Sequence, residues 1–245
     1  MNNTLMEVGH LVQLHWSRKK ENSICTFLYL HISVKKEIPD IDETSVKNVV
    51  GVDMGMNFLV TAIDSKDRML FVGSRHIKNK KAQYKRIRKQ LQQRQTPSAR
   101  RRLKKIGNRE NRFQTDLNHK VSKALIRFAG KNSLIALEDL TGIRSATTRV
   151  KRKNRYYSVS WAFHQLRFFI EYKAKRAGIK VIAFDPKYTS QKCPKCGHTE
   201  KVNRNKKTHT FSCKTCQYTS NDDRIGAMNL RTKGIEYLHN VSVQA

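Results

Sequence analysis

Residues 48–73 read NVVGVDMGMNFLVTAIDSKDRMLFVG and contain three runs of apolar and β-branched residues, separated by short polar turns. The runs cover residues 49–53, 58–63 and 69–72. This pattern predicts a three-stranded β-meander. Asp53 ends the first run, and Gly51 and Gly55 beside it allow a close approach of backbone or ligand. A carboxylate at this point is either the cap of a turn or part of a functional site.

Two further segments flank the meander. Upstream, residues 10–17 and 24–34 alternate or run apolar, which predicts a β-hairpin. Downstream, residues 75–112 contain sixteen Lys and Arg against one acidic residue, with sparsely spaced apolar residues. This composition predicts helices with a solvated basic face, broken near residues 96–98 and at Gly107.

The rest of the chain alternates helices with strands. The predicted elements are a helix over 113–130, a strand in SLIALEDL (133–140), a helix over about 160–177, a strand in IKVIAFDP (179–186) and a short helix in DDRIGAMNLRTKG (222–234). Glu138 lies at the exit of its strand, as Asp53 does. Residues 144–155 hold six basic groups and no acid, which indicates a mobile loop. The order predicts an α/β fold whose strand exits present acids.

Composition narrows the class of protein. The chain has 245 residues and 38% hydrophobic content, enough for one substantial core or two small ones. Fifty Lys and Arg against nineteen Asp and Glu give a net charge of +31, which favours a polyanionic partner, nucleic acid before an anionic membrane. We find no apolar run long enough for a membrane span and no signal peptide at the start, so we expect a cytoplasmic protein.

Four of the five cysteines form two Cys-x-x-Cys pairs. The four are Cys193, Cys196, Cys213 and Cys216. Their spacing is typical of a structural Cys₄ zinc ribbon, with a redox dithiol or unligated core cysteines as the alternatives. Four thiolates complete a tetrahedral shell, so His198 and His209 are interpreted as solvated residues or phosphate contacts. Cys25 lies in an apolar run and is interpreted as an inert core thiol.

Acidic residues end or begin several predicted elements. Alone, Asp53 and Glu138 could cap turns, and Asp222 and Asp223 could cap the final helix. Together, three carboxylates at element ends of one α/β sheet could gather hard divalent cations such as Mg²⁺. Two such ions clamp an in-line attack on a phosphodiester, and the basic surface would hold that substrate.

Four stretches together resemble the RuvC-like nuclease half of the TnpB family, which are OrfB-type, transposon-encoded RNA-guided DNA endonucleases related to compact type V CRISPR effectors. The stretches are GVDMGMNFLVTAID, NHKVSKALIRFAGKNSLIALEDLTGIR, YTSQKCPKCG and DDRIGAMNL. The resemblance covers about residues 45–235. It implies an RNase H-like fold with the Cys₄ zinc ribbon inserted before its last helix, preceded by a short β segment.

The resemblance also implies site residues. The first aspartate of the family matches Asp53, and its glutamate matches Glu138. The third aspartate belongs to a motif resembling D-x-N-A-A-x-N, and aligning Ala227 and Asn229 with that motif places it at Asp223.

The chain departs from this motif at Ile225 and Gly226. The departure leaves Asp222 as the alternative third acid. Asp139 should face the other side of its strand from Glu138 and have a structural role.

The expected domains are a β-hairpin over 1–47 as the remnant of a wedge domain, a RuvC-like core over 48–190, the zinc ribbon over 191–219, and a final RuvC segment with a tail over 220–245. Family members carry an N-terminal recognition lobe, which this sequence is expected to lack. Three alternatives follow: the chain is a fragment, it is a split open reading frame, or it works with RNA or a protein partner that supplies that lobe.

The leading hypothesis is an Mg²⁺-dependent endonuclease that binds guide RNA and target DNA. A truncated or repurposed relative that binds nucleic acid without cleaving it is the alternative. A basic zinc-ribbon protein such as a ribosomal component is a third, but it leaves the acids unexplained. The residues predicted to contact nucleic acid are Arg86, Lys89, Arg100, Arg101, Arg102, Lys104, Lys105, Lys151 and Arg152.

Overall fold

The structure is a computed structural model that describes residues 12–20, 26–34, 38, 41–55, 57–140 and 162–244. The chain divides into two compact units, Met1–Pro39 and Asp40–Ala245. In the first, β1 (Val12–Lys20) and β2 (Thr26–Val34) pair antiparallel along their whole length. The predicted hairpin is therefore confirmed, with a first strand that extends beyond residue 17 to Lys20.

Five strands form the main sheet of the second unit, in the order β5-β4-β3-β6-β7. The strands are β3 (Asn48–Asp53), β4 (Phe58–Ile63), β5 (Met69–Gly73), β6 (Ser133–Glu138) and β7 (Ile179–Phe184). The first three form an antiparallel meander, whereas β3, β6 and β7 run parallel. The meander and both later strands are therefore confirmed, and so is the α/β class.

A long helical hairpin follows the meander and consists of α1 (Arg75–Arg94) and α2 (Pro97–Ala129). The turn between them falls at Gln95, which has a left-handed φ of 52°. Thr96 then caps α2, since its hydroxyl accepts a hydrogen bond from the Ala99 backbone N–H at 3.2 Å. The predicted break near residues 96–98 is confirmed.

The predicted break at Gly107 is wrong. Helix α2 continues through Gly107 and includes the helix predicted separately over 113–130. Glycine costs about 1 kcal/mol in a helix relative to alanine. The burial of Ala99, Ile106 and Val121 along the same helix outweighs that cost.

Helix α3 (Phe163–Ala177) leads into β7 and ends at Gly178, whose left-handed φ of 68° confirms the predicted stop. The last helix, α4 (Asp222–Gln244), starts where predicted but does not end at Gly234. A Cβ at Gly234 would lie 2.8 Å from Val49 Cγ1 and 2.9 Å from Leu134 Cδ2. The absence of a side chain at Gly234 therefore allows α4 to pack closely on the sheet. The prediction that this glycine ends the helix is wrong.

The two faces of the sheet carry different helices. Val50 and Val52 of β3 share a core with residues of α2 and α3. The alternate residues of the same strand face α4. This follows from Gly51, where a Cβ would lie 2.0 Å from the carbonyl oxygen of Ala227 on that helix. Side chains alternate along a strand, so Asp53 must lie on the α4 face with Gly51.

A small module lies between β7 and α4. Its strands β8 (Arg204–Asn205), β9 (Thr210–Ser212) and β10 (Thr219–Asn221) form an antiparallel sheet in the order β10-β9-β8. Buried Phe211 and the cysteines around it pack against Ile225 and Met228 of α4. The insertion of this module before the last helix, which the resemblance implied, is confirmed.

Some predictions fall on residues outside the described ranges. These are the loop over 144–155, including Lys151 and Arg152, and the thiol of Cys25. Among the described helices, none combines the length and the apolar character needed to cross a bilayer.

Candidate active site and metal-binding cluster

Asp53 and Glu138 lie side by side at the same edge of the sheet. The parallel register pairs Val52 of β3 with Leu137 of β6, so the next residue on each strand is one of the two acids. Both side chains are partly buried. Because neighbouring parallel strands present residues of the same register on the same face, both acids face α4.

Asp223 reaches the same edge from the first turn of α4. A Cβ at Gly55, just after β3, would lie 3.8 Å from Asp223 Oδ1. A Cβ at Gly226 would lie 3.3 Å from Asp53 Oδ2, so this glycine gives the Asp53 carboxylate its space. We call Asp53, Glu138 and Asp223 the acid cluster.

Electrostatics within the acid cluster oppose ionisation. Burial, and then the charges of Glu138 and Asp223, raise the pKa of Asp53 well above its ordinary value. Burial is also the main cause that raises the pKa of Glu138 and of Asp223. Asp223 is 7% exposed, and its buried Oδ2 has no hydrogen-bond partner. Carboxylates in this situation favour protons or cations.

Asp222 has a different environment from its neighbour. It is fully buried, and its Oδ2 accepts a hydrogen bond from Arg204 Nε at 2.8 Å, with His209 Nδ1 at 3.5 Å. Its Oδ1 accepts a bond from the Asp223 backbone N–H at 3.0 Å. Asp222 therefore joins the inserted module to the start of α4, whereas Asp223 Oδ2 stays unpaired.

The His209 side chain is 43% exposed, so its interpretation as a solvated residue or phosphate contact stays a prediction. Besides Asp222, it contacts the side-chain amide of Asn57, with its Nε2 at 2.7 Å from Asn57 Nδ2. The side-chain oxygen Oδ1 of Asn57 in turn accepts a bond from Lys78 Nζ at 2.7 Å. His209 thus belongs to a polar network beside the acid cluster.

Glu138 is held by a second network. The Thr189 hydroxyl donates to Glu138 Oε1 at 2.6 Å. Asn229 of α4 donates to the carbonyl oxygens of Thr189 at 2.6 Å and of Lys192 at 2.8 Å. The orientation of Glu138 therefore depends on the segment that enters the inserted module.

Asp139, the acid beside Glu138 in sequence, lies on the other side of the sheet. It forms an ion pair with Arg167 of α3 at 3.0 Å. The expectation that Asp139 faces away from Glu138 and has a structural role agrees with this contact.

Sequence reasoning did not name Arg204 or Thr189 as site residues. The positive charge of Arg204 offsets part of the rise in the pKa of Asp53, of Glu138 and of Asp223. Its position inside the cysteine segment gave no signal, because a basic residue there looks like any other surface cation. Thr189 lies in YTSQKCPKCG, a quoted motif, where only its cysteines drew attention.

The four cysteines converge. Their sulfur atoms all lie within 4.8 Å of one another, with Cys193 to Cys216 at 3.6 Å and Cys196 to Cys213 at 3.5 Å. Among the described residues, this is the only group of three or more His, Cys, Asp or Glu with all ligand atoms that close. Four thiolates in this arrangement could hold a metal ion such as zinc.

The predicted nucleic-acid contacts on α1 and α2 are all exposed. Within the described part of the chain, these seven side chains form no ion pair with an acid. We call them the basic face: Arg86, Lys89, Arg100, Arg101, Arg102, Lys104 and Lys105. Their charges are therefore free to meet a polyanion.

Comparison with known proteins gives two family matches. The family described as "Probable transposase" (OrfB_IS605) matches residues 31–157, and the family described as "Cas12f1-like, TNB domain" matches residues 163–230. The second match spans α3, β7, the cysteine module and the start of α4.

Two curated relatives share sequence with the chain. The CRISPR-associated endodeoxyribonuclease Cas12f1 of Sulfoacidibacillus thermotolerans is 36% identical over 51% of this chain and 28% of its own length. The TnpB-like protein MJ0751 of Methanocaldococcus jannaschii is 38% identical over 54% of this chain and 46% of its own length. The chain thus spans about a quarter to a half of the length of these relatives.

A solved structure shares the fold. It is a Cas12f1–sgRNA–target DNA complex, which is 16% identical, has a TM-score of 0.61, and covers 94% of this chain and 69% of that chain. The OrfB_IS605 match covers more than half of the 245 residues. The order of elements, the inserted cysteine module and these matches agree, and the chain belongs to the OrfB_IS605 family of TnpB-like proteins.

Proposed function

We propose that the chain is the nuclease part of an RNA-guided DNA endonuclease of the transposon type. The observation that carries the proposal is the acid cluster, in which three mutually repelling carboxylates lie at one edge of the sheet. The curated relative from Sulfoacidibacillus is named an endodeoxyribonuclease, and the structural neighbour holds a guide RNA and target DNA. These names support the substrate class.

The acid cluster fits divalent cations such as Mg²⁺. Asp223 Oδ2 is buried without a hydrogen-bond partner, and burial with like charges disfavours the ionised form of all three acids. The three carboxylates do not all approach within 4.8 Å, as the ligands of one compact ion would. A wider arrangement suits two ions about 3.5–4 Å apart.

Asp53, Glu138 and Asp223 would be the ligands of these cations. Two bound cations would activate a water molecule and stabilise the leaving oxygen of a phosphodiester. The protein itself orients the ligands: Thr189 holds Glu138 by its hydroxyl, and the packing of Gly51 against α4 positions Asp53. Arg204 adds a positive charge that offsets part of the repulsion among the acids.

The four cysteines would hold one structural zinc ion. Its role would be to stabilise the inserted module, which has three short strands and a small core. Through Arg204 and His209, the folded module also orients Asp222 at the start of α4.

The domain limits follow the same proposal. Residues 48–190 and 220–245 would form the nuclease core, residues 191–219 the zinc ribbon, and residues 1–47 the end of a wedge domain. The basic face would run along the backbone of the guide RNA or of the target DNA. A protein partner would join the guide RNA and the target DNA in the assembly.

The test is cleavage by the full chain. The protein is purified together with the RNA that it retains, and is incubated with Mg²⁺ and a library of duplex targets. We expect cut ends at targets complementary to the retained RNA, lost in Asp53→Ala and Glu138→Gln but kept in Asp139→Asn. Salt-dependent binding without any cleavage would instead support a repurposed, non-cleaving relative.

A further inference from the structure

An exposed pair of aromatic rings lies where the main sheet ends at β5. The ring centroids of Phe58 on β4 and Phe71 on β5 are 5.1 Å apart, and the rings are tilted by 59° to each other. Phe71 is 40% exposed, and Met69, two residues earlier on the same strand, is 46% exposed. We call Phe58, Met69 and Phe71 the aromatic shelf. Apolar side chains that are exposed next to one another mark binding surfaces, whereas scattered ones do not.

The aromatic shelf lies on the same face of the sheet as the acid cluster. The antiparallel registers pair Asp53 with Thr61 and Thr61 with Phe71, so these three residues form one row across β3, β4 and β5. Side chains directly opposite each other on neighbouring strands point to the same face. Neighbouring strands are about 4.8 Å apart, so the backbone of Phe71 lies about 10 Å from that of Asp53.

Helix α4 leaves the aromatic shelf open. This helix packs on β3, β4 and β6, whereas β5 lies at the edge of the sheet beyond β4. At its other end the shelf reaches the acid cluster, because the Phe58 carbonyl oxygen and Asp223 Oδ1 both lie within 4 Å of the Cβ position at Gly55. The aromatic shelf and the acid cluster therefore adjoin each other on one face.

Two cations border the aromatic shelf. Lys78 Nζ donates to the side chain of Asn57, the residue just before the shelf, at 2.7 Å. Arg224 lies two helical turns before Arg231, which donates to Asp67 in the turn into β5 at 2.6 Å, so Arg224 is on the side of α4 that faces β4 and β5. Neither Lys78 nor Arg224 forms an ion pair with an acid among the described residues, so both charges can meet phosphates.

A single strand of nucleic acid matches this surface. Its unpaired bases can stack on exposed aromatic rings whatever their sequence, while cations beside the rings hold the phosphates. In a duplex the bases are already stacked on one another, so their faces are not available to a protein ring. A second copy of the chain would bring the same net charge of +31 to the contact, and this repulsion disfavours a dimer.

We propose that the aromatic shelf stacks one nucleobase of a single strand whose backbone crosses the acid cluster. Phe58 and Phe71 are then positioning residues for cleavage, because stacking one base fixes where the neighbouring phosphodiesters lie. This inference deepens the proposed function and rests on it for the path of the strand. The strand is DNA or RNA, since both present the same flat bases, and the experiment distinguishes the two sources.

The experiment is photocrosslinking of the full chain in a Glu138→Gln background, which keeps the strand uncut. One arm uses single-stranded DNA that contains 5-iodo-2′-deoxyuridine, and the other uses RNA of the same sequence with 5-iodouridine. Irradiation joins the iodinated base to an aromatic ring stacked on it, and mass spectrometry locates the crosslinked residue. Fluorescence anisotropy measures the affinity for the same strands.

Three variants separate stacking from a merely structural role. Phe71→Leu removes the ring but keeps an apolar side chain, and Phe71→Trp restores a ring at the same position. Phe168→Leu is the matched control, since Phe168 is 56% exposed on α3, at the other face of the sheet. Thermal unfolding checks that each variant folds.

We expect crosslinks at Phe58 or Phe71, and the arm that gives them identifies the strand. Phe71→Leu should weaken the affinity for that strand about tenfold, a factor in the range of one lost base stack. Phe71→Trp and Phe168→Leu should bind as tightly as the parent chain.

Three results overturn the proposal. They are strand binding without crosslinks at either ring, an affinity unchanged by Phe71→Leu, and a dimer in light scattering that Phe71→Leu dissociates, which would assign the shelf to a second copy. Failure of the proposed function looks different. Crosslinks at the shelf with no cleavage by the chain that retains Glu138 would overturn the endonuclease and leave the shelf as a strand-binding surface.

Discussion

Asp53 and Asp223 lie 223 − 53 = 170 residues apart in sequence, yet the charge of Asp223 raises the pKa of Asp53. Asp53 is the last residue of β3, the central strand of the main sheet, and Asp223 lies in the first turn of α4. The repulsion between these two carboxylates lowers the stability of the folded chain, which can be measured.

Asp53→Asn should stabilise the metal-free protein at pH 7, because the neutral amide removes a buried, repelled charge. The free energy of unfolding should rise by about 1.4 kcal/mol for each tenfold decrease in the acid dissociation constant of Asp53 that folding causes. Mg²⁺ should raise the melting temperature of the wild type more than that of Asp53→Asn. Thermal unfolding with and without Mg²⁺ measures both effects, with Asp139→Asn as the control. A destabilised Asp53→Asn that still responds fully to Mg²⁺ would contradict the assignment.

Cys213→Ser should remove one zinc ion per chain and lower stability, because metal binding contributes on the order of 10 kcal/mol in small zinc modules. Elemental analysis of the purified protein measures the metal, and thermal unfolding measures the stability. Cys25→Ser should leave the zinc content unchanged. Wild-type protein without zinc but with an intact fold would show that the cysteine cluster is not a zinc site.

Nucleic-acid affinity should fall steeply with salt. If about six phosphates are neutralised, log K falls with log[salt] at a slope near −4 for single strands or −5 for duplex. Replacing Arg100, Arg101 and Arg102 with alanine should reduce that slope by about 2 to 3. Replacing the exposed neutral residues Gln90, Gln92 and Gln93 with alanine is the matched control. Equal slopes for the two triple variants would rule out backbone contacts by the basic face.

Gly51→Ala should destabilise the fold strongly. The new Cβ would lie 2.0 Å from the Ala227 carbonyl oxygen and 2.3 Å from the Arg231 backbone nitrogen, so α4 would have to move off the sheet. Overpacking of this kind costs about 1–3 kcal/mol and more where backbone must shift. Gly73→Ala is the control, because nothing lies within 4 Å of its Cβ position. Urea unfolding compares the two, and equal midpoints would contradict the close packing of α4 on β3.

Lys81 should make stability depend on pH in the alkaline range. Burial lowers its pKa from 10.5 to about 8 in the folded chain. Between these values the unfolded state binds more protons than the folded state, so the free energy of unfolding rises with pH. The rise over this window is roughly 3 kcal/mol at most. Lys81→Met should lack it and Lys89→Met should keep it, as urea unfolding from pH 7 to pH 10.5 would show. Parallel curves for wild type and Lys81→Met would refute the lowered pKa.

Local patterns predicted the parts of the fold that depend on local chemistry. The apolar runs of β3 and β6 placed Asp53 and Glu138 at strand exits, and the capping residue Thr96 marked the turn of the helical hairpin. Gly178 was read correctly as a helix stop because its conformation is set by the helix end itself.

The errors concern residues whose role depends on distant contacts. Gly234 looked like a helix terminator, but its lack of a side chain lets α4 contact Val49 and Leu134. The partners of Arg204 and of Thr189 lie on elements that no periodicity brings together. Such roles follow from tertiary packing, which one sequence does not display.

Asn229 ties the entry of the inserted module to the helix that follows it, through the carbonyl oxygens of Thr189 and Lys192. The module therefore enters and leaves the unit built on the main sheet at neighbouring points, which Asn229 holds together. This geometry makes the cysteine segment exchangeable. A designer could graft a shorter or metal-free loop between Lys192 and Asn221, provided that it returns a cation to the place of Arg204 beside Asp222.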